Sequence, residues 1–155
     1  MHMRQLRWVD LALLPFAICV GFLMLLGKLC GLTYKQISVV FNLWLQGTML
    51  VLSAILPFII SVIRICGGFT LPKLLLVVFL TIYALIYIWA FRRMLHHYHL
   101  PVDRAFDRCV HDLQALARNW HTSYQVVNLL LFVVGFMLLL SLNLGMSYFI
   151  YSWMK

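Results

Sequence analysis

The side chains that could perform chemistry are concentrated between residues 92 and 124, which hold five of the six histidines and three of the four acidic residues. Imidazole and thiolate groups are ordinary ligands of transition metals, so a metal site could be composed of His97 and His99 with the nearby His96, His111, Cys109 and Asp112. Successive helical residues point about 100° apart, however, so His97 and His99 cannot share an ion on a regular helix. We therefore interpret the histidines as polar residues near a membrane surface, and we expect neither a metal nor a cofactor.

Enzymatic activity is not expected, because no pattern in the sequence assembles a nucleophile, a base and an orienting group. The chain has no H-E-x-x-H motif, no P-loop and no serine at a strand-to-helix elbow. An enzyme that acts on lipid would need Asp103, Asp107 and His111 to cluster at one headgroup level, which requires the segment to fold back on itself.

The residues after Pro101 predict an amphipathic helix, because their apolar side chains recur every three or four positions. This stripe consists of Val102, Phe106, Cys109, Leu113, Leu116 and Trp120. Asp107 stands four residues before His111 on the opposite face, a spacing that supports a solvated helix. With the residues that precede Pro101, the helix forms a predicted polar hairpin over residues 92–124. We expect its stripe to pack on the residues that follow span three, because three aspartates are poorly suited to lying on anionic lipid.

The composition places the whole chain in a membrane. Hydrophobic residues make up 65% and charged residues 10%, and the mean hydropathy is +0.98, whereas soluble domains carry about 25% charged residues. Four apolar segments approach or exceed the length that crosses a bilayer: 8–26, 37–63, 74–91 and 126–153. The first ends without a small-residue cleavage site, so we expect it to be retained. The predicted fold is an all-α integral membrane protein, one domain over residues 1–155, with four transmembrane helices and one amphipathic polar extension between spans three and four.

The net charge of +8 suggests anionic lipid headgroups as a partner. The basic residues are spread over every predicted loop instead of one face, so we expect no nucleic acid. Seven of the twelve basic residues lie on the side of the hairpin, and the positive-inside rule places that side in the cytosol, in our interpretation of a bacterial inner membrane. The four cysteines lack C-x-x-C spacing and predict neither a zinc site nor a disulfide scaffold.

Polar residues form one stripe in each of spans two and four. Span two carries Ser38, Asn42, Gln46, Ser53, Pro57 and Ser61, and span four carries Gln125, Asn128, Gly135, Asn143 and Ser147. Amides in hydrocarbon need partners, so we predict an intramembrane polar seam that includes Asn42, Gln46, Asn128 and Asn143. At one edge of this seam, Asn42 and Gln46 are expected to meet Asn128.

The same stripes could instead line a conduction path. Transporters of ions usually keep an ionisable residue near the membrane midplane, and the one acid inside a span, Asp10, lies at its edge. We expect Asp10 to pair with Arg64 or Lys73 on the same side.

The sequence therefore favours a non-enzymatic interaction or assembly subunit, which docks a membrane-protein partner or another copy through the hairpin 92–124. An oligomeric channel, a holin-like pore or a small transporter is the alternative.

Overall fold

The computed structural model describes the backbone of residues 3–65 and 70–153 and the side chains of residues 13–64 and 70–153. In these ranges the chain is helical, with no strand. The elements are α1 (Met3–Cys30), α2 (Tyr34–Val39), a first π-helical segment (Val40–Leu45), α3 (Gln46–Ile65), α4 (Leu71–His97), α5 (Val102–Asn119), α6 (Tyr124–Leu129), a second π-helical segment (Leu130–Gly135) and α7 (Phe136–Trp153).

Four stretches are long and apolar enough to cross a membrane, which confirms the all-helical, four-span class of fold. They are Leu13–Cys30, Tyr34–Arg64, Leu71–His97 and Tyr124–Trp153. The third extends six residues past the predicted end of span three at Phe91. The helical hairpin predicted over residues 92–124 already included this extension, and basic side chains in a last turn interact favourably with the helix dipole.

The chain divides into two compact units, and each takes segments from both halves of the sequence. Unit 1 comprises Met1–Trp44 and Tyr98–Gly135, and unit 2 comprises Leu45–His97 and Phe136–Lys155. The single domain over residues 1–155 stays a prediction.

In unit 1, α1 packs on α2 and α6, and α5 packs on the same two helices. A turn closes the end of α1. Gly31 adopts a left-handed conformation (φ 68°), which glycine accepts without a Cβ penalty, and the Leu32 amide bonds the Gly27 carbonyl at 2.8 Å. Thr33 then caps α2. This is a Schellman turn followed at once by an N-cap.

The same turn occurs again 90 residues later in the sequence. His121 is left-handed (φ 50°), the Thr122 amide bonds the Ala117 carbonyl at 2.9 Å, and Ser123 caps α6. Each turn is followed by six residues of α-helix and then six of π-helix. The local structure of residues 27–45 is thus repeated in residues 117–135.

The sequence carries the same repeat upstream of each turn. The pattern F-x-x-C-V-x-x-L-x-x-L begins at Phe16 and again at Phe106, and the equivalent leucines Leu23 and Leu113 are both buried. The packing is reciprocal, since α1 contacts α6 while its equivalent α5 contacts α2, as two related copies in an isologous arrangement do. Unit 1 is therefore an internal repeat.

In unit 2, α3 packs on both α4 and α7. Leu80 and Ile150 are buried at its core, and Phe58 and Leu76 pack against them. Pro57 lies inside α3 and is fully buried, which membrane helices tolerate when other groups satisfy the freed backbone.

Candidate interaction surface and polar seam

The hairpin region is held in unit 1 through its helix α5, which α2 anchors by three contacts. Lys35 Nζ lies 2.8 Å from Asp107 Oδ1 and 5.5 Å from the centroid of the Phe106 ring. The Tyr34 ring meets the Phe106 ring edge to face, with centroids 5.8 Å apart. The ion pair is exposed and therefore contributes little by itself, so the aromatic contacts provide most of the anchoring.

A second anchor joins α5 to the residue that directly follows α4. The Tyr98 hydroxyl donates to Asp112 Oδ2 at 3.0 Å. Burial, together with the nearby Cys109 and Asp112, raises the pKa of Tyr98 above its ordinary value of 10.0. Burial and the charge of Asp112 also raise the pKa of the Cys109 thiol from 9.0 to about 11. Both groups therefore stay protonated at neutral pH, so Tyr98 remains a hydrogen-bond donor.

The predicted apolar stripe of α5 divides into a packed centre and exposed ends. Leu113 is buried in a cluster with Ala117 and Val127, and Cys109 and Leu116 pack against it. The end residues Val102 and Trp120 are 39% and 53% exposed, and Phe106 is half-buried. Within unit 1, α5 contacts α2 and α6, and the expected packing of the stripe on the residues after span three stays a prediction.

Two buried residues of α5, Ala105 and Ala117, are absent from the predicted stripe. Their small side chains add little to an apolar pattern, yet they allow close approach of helix backbones. The repeat supplies the signal that would have found Ala117, because its equivalent in α1 is Gly27. A Cβ on Gly27 would lie 2.9 Å from the Leu32 carbonyl oxygen and 3.2 Å from Ile37 Cγ2, so position 27 requires glycine, and Ala117 is buried at the equivalent position.

The outward faces of the two equivalent helices differ in chemistry. On α1 this face is apolar, with Leu14 70% and Ile18 64% exposed. The matching residues of α5, 90 positions later, are Arg104 and Arg108, and both are exposed. The internal packing of the repeat therefore does not require the charge of Arg104, because α1 has Leu14 at the equivalent position.

The buried polar residues all belong to the two stripes predicted for spans two and four. In the part of the chain with described side chains they are Ser38, Gln46, Ser53, Ser61, Asn143 and Ser147. Asn143 is at the centre of a network in unit 2: its Nδ2 donates to Ser53 Oγ at 2.8 Å, and its Oδ1 accepts from the Tyr83 hydroxyl at 2.6 Å. Ser53 in turn donates to the Leu50 carbonyl at 2.9 Å.

Tyr83 of α4 is the member of this network that sequence reasoning missed. The sequence feature that could have indicated it is a pair of tyrosines one turn apart, Tyr83 and Tyr87, within an otherwise apolar span. In the structure their hydroxyl oxygens lie 3.2 Å apart. The network therefore joins three helices, α3, α4 and α7, where the sequence predicted two.

The other residues of the predicted polar seam are Asn42, Gln46 and Asn128. Asn128 donates to the Tyr124 hydroxyl on the same helix at 3.2 Å, a contact that the sequence analysis did not predict. Asn42 is half-buried and Gln46 is buried. The predicted meeting of Asn42 and Gln46 with Asn128 stays a prediction.

The expected pairing of Asp10 with Arg64 or Lys73 rests on a side chain outside the described residues. The Arg64 guanidinium stacks over the Tyr151 ring at 4.7 Å from the centroid.

Among the side chains that the structure describes, no group of three histidine, cysteine or acidic residues could hold a metal ion. Comparison of this chain with protein-family models, curated proteins and solved structures gave no match.

Proposed function

We propose that this chain is a non-enzymatic interaction or assembly subunit of a membrane, and that it docks a membrane-protein partner or another copy of itself. The docking surface is the polar hairpin of residues 92–124, in which α5 acts as an amphipathic extension between spans three and four. We further propose a bacterial inner membrane as its location, with the hairpin in the cytosol.

The difference between the outward faces of α1 and α5 carries this proposal. The two helices occupy equivalent places in the repeat, yet Leu14 and Ile18 of α1 correspond to Arg104 and Arg108 of α5. Because packing within the repeat does not need the charge of the exposed Arg104, we infer that this charge serves recognition outside the chain. Charged surfaces set the specificity and the rate of association more than its strength, which suits recognition of a partner.

The anchoring of α5 supports the same proposal. A docking helix binds better when it is held in one orientation, because less conformational entropy is lost on association. Lys35 holds α5 at Phe106 and Asp107, and Tyr98 holds it further along at Asp112. Val102 and Trp120 remain exposed as apolar contact residues, and exposed tryptophan is enriched where proteins bind one another.

A conduction path has less support, because Asn143 is fully buried and both ends of its amide group are bonded, to Ser53 and Tyr83. An amide that lines a pore would instead bond water. The pore is therefore kept as an outcome of the test below.

The test is purification of the tagged full-length chain in mild detergent, with identification of the chains that co-elute. We expect a defined partner, or a homo-oligomer, whose recovery falls at least fivefold in Arg104→Glu, because reversing a charge at an interface opposes association. Lys28→Glu is the matched control, since Lys28 is also exposed and lies outside α5. It should leave recovery unchanged.

Two results would overturn the docking function. One is a chain that is monomeric and alone in mild detergent. The other is a homo-oligomer that conducts ions in planar bilayers and whose assembly is indifferent to Arg104→Glu, which would establish the pore.

A further inference from the structure

The two π-helical segments occupy equivalent places in the repeat but differ in how firmly they are packed. Leu43 is buried in the first segment, Val40–Leu45. The second segment, Leu130–Gly135, is described in full and contains no buried residue. Turns of π-helix inside α-helices are frequent at functional sites, and a stretch with few buried contacts changes its conformation at low cost in free energy. The second segment is therefore the more easily altered of the two.

Gly135 permits the π-helical form of the second segment. A Cβ at this position would lie 3.0 Å from the carbonyl oxygen of Leu130. Leu130 is five residues back, and a π-helix pairs its carbonyl with the amide of residue 135. Glycine accommodates this close approach because it has no Cβ. Alanine at position 135 would instead favour the α-helical form, in which the amide bonds the carbonyl four residues back.

Phe132 connects the second segment to α5. Its side chain packs against the buried cluster of Leu113, Ala117 and Val127. Leu113 and Ala117 belong to α5, and Val127 belongs to α6, which leads directly into the segment. Because a π-helical turn depends on surrounding packing to compensate for its weaker geometry, a shift of α5 that loosens the contact with Phe132 favours the α-helical form.

We propose that Leu130–Gly135 is a hinge in span four, which alternates between a π-helical and an α-helical form, and that α5 controls it through Phe132. Conversion moves the helical register by one residue, so the parts of the span before and after the segment turn by about 100° relative to each other. Two forms of similar free energy respond to any contact that favours one of them. The hinge needs no partner, but its response to a partner on α5 rests on the proposed docking function.

Relaxation-dispersion NMR of the ¹⁵N-labelled full chain in detergent micelles tests the hinge, because it detects minor forms that exchange in microseconds to milliseconds. We expect a minor form at the amides of Leu130–Gly135 and none at those of Val40–Leu45. Gly135→Ala should raise the population of this minor form at least about twofold, because an α-helix favours alanine over glycine. Gly145→Ala is the matched control, since its Cβ would meet no atom within 4 Å, and it should leave the population unchanged. A segment without a minor form, or equal effects of the two substitutions, would overturn the hinge.

A second pair of variants tests the control by α5. Leu113→Val removes one methylene group from the cluster against which Phe132 packs, so it should raise the population of the minor form. Val102→Ala changes an exposed residue of the same helix and should not. An unchanged population in Leu113→Val would show that α5 does not control the hinge. These spectra need no partner, so failure of the hinge is distinguished from failure of docking, which the co-elution experiment measures.

Discussion

The Phe106 ring meets the Tyr34 ring edge to face, with centroids 5.8 Å apart and planes at 75°. The equivalent residues of the other repeat, Phe16 and Tyr124, meet in the same way at 6.1 Å and 81°. Each pair joins one copy of the repeated helix–turn–helix to the other. The two contacts therefore fasten unit 1 reciprocally.

Phe16→Leu and Phe106→Leu should each lower the free energy of unfolding by about 0.5 to 1.5 kcal/mol, since each removes one edge-to-face ring contact. Phe106→Leu should cost more, because Lys35 also lies over the Phe106 ring. Unfolding by sodium dodecyl sulfate in mixed micelles, followed by circular dichroism, measures both. A loss in only one of the two variants would contradict the reciprocal role.

Asn143→Leu should destabilise the protein by about 1 to 2 kcal/mol, because it breaks the bonds to Ser53 and Tyr83 that join three helices. Asn128→Leu is the comparison. Its bond to Tyr124 lies within one helix, so the loss should be smaller, at or below about 1 kcal/mol. The same unfolding measurement applies, and a larger loss at Asn128 would count against the network as the polar link of the bundle.

His121→Gly should stabilise the protein by about 0.5 to 1 kcal/mol. The left-handed conformation of His121 (φ 50°) is strained for a residue with a Cβ, and glycine relieves this strain at some cost in the entropy of the unfolded chain. Gly31→Ala, at the equivalent turn, should destabilise by a similar amount. Thermal unfolding in detergent measures the change in stability of both variants. Two changes of the same sign would refute the turn assignment.

Cys109 should react with iodoacetamide at a rate that rises about tenfold per pH unit up to pH 10, because only the thiolate reacts. Burial and Asp112 raise the pKa of this thiol to about 11, so the protonated form persists where an ordinary thiol is already ionised. A variant that retains Cys109 alone provides the measurement. A rate that levels off near pH 9 would contradict the raised pKa.

The four-span topology predicts the membrane side of three cysteines. Single-cysteine variants should place Cys30 and Cys109 on one face and Cys66, which lies outside the described residues, on the other. A membrane-impermeant maleimide applied to sealed vesicles of each orientation distinguishes the faces. Labelling of Cys66 and Cys109 from the same side would rule out four crossings.

The sequence by itself determined the number of spans, their helical state and the polar residues that are buried. These properties are local, because a helix satisfies its own backbone and its periodicity shows which of its faces must avoid lipid. The stripes of spans two and four accordingly contained Ser53, Asn143 and every other buried polar residue of the described side chains. The repeat was also present in the sequence, in the two F-x-x-C-V-x-x-L-x-x-L segments.

The tertiary structure decided which faces meet. The periodicity of a sequence shows which face of a helix is apolar. The rotation and the crossing angle of the neighbouring helix determine which side chains that face contacts. Lys35 reaches Asp107 from 72 residues away, and Tyr83 reaches Asn143 from 60. No local pattern specifies either pair. The two π-helical segments also could not be read from the sequence. A π-helical turn is less favourable than an α-helical turn, so it forms where the surrounding packing compensates for the difference.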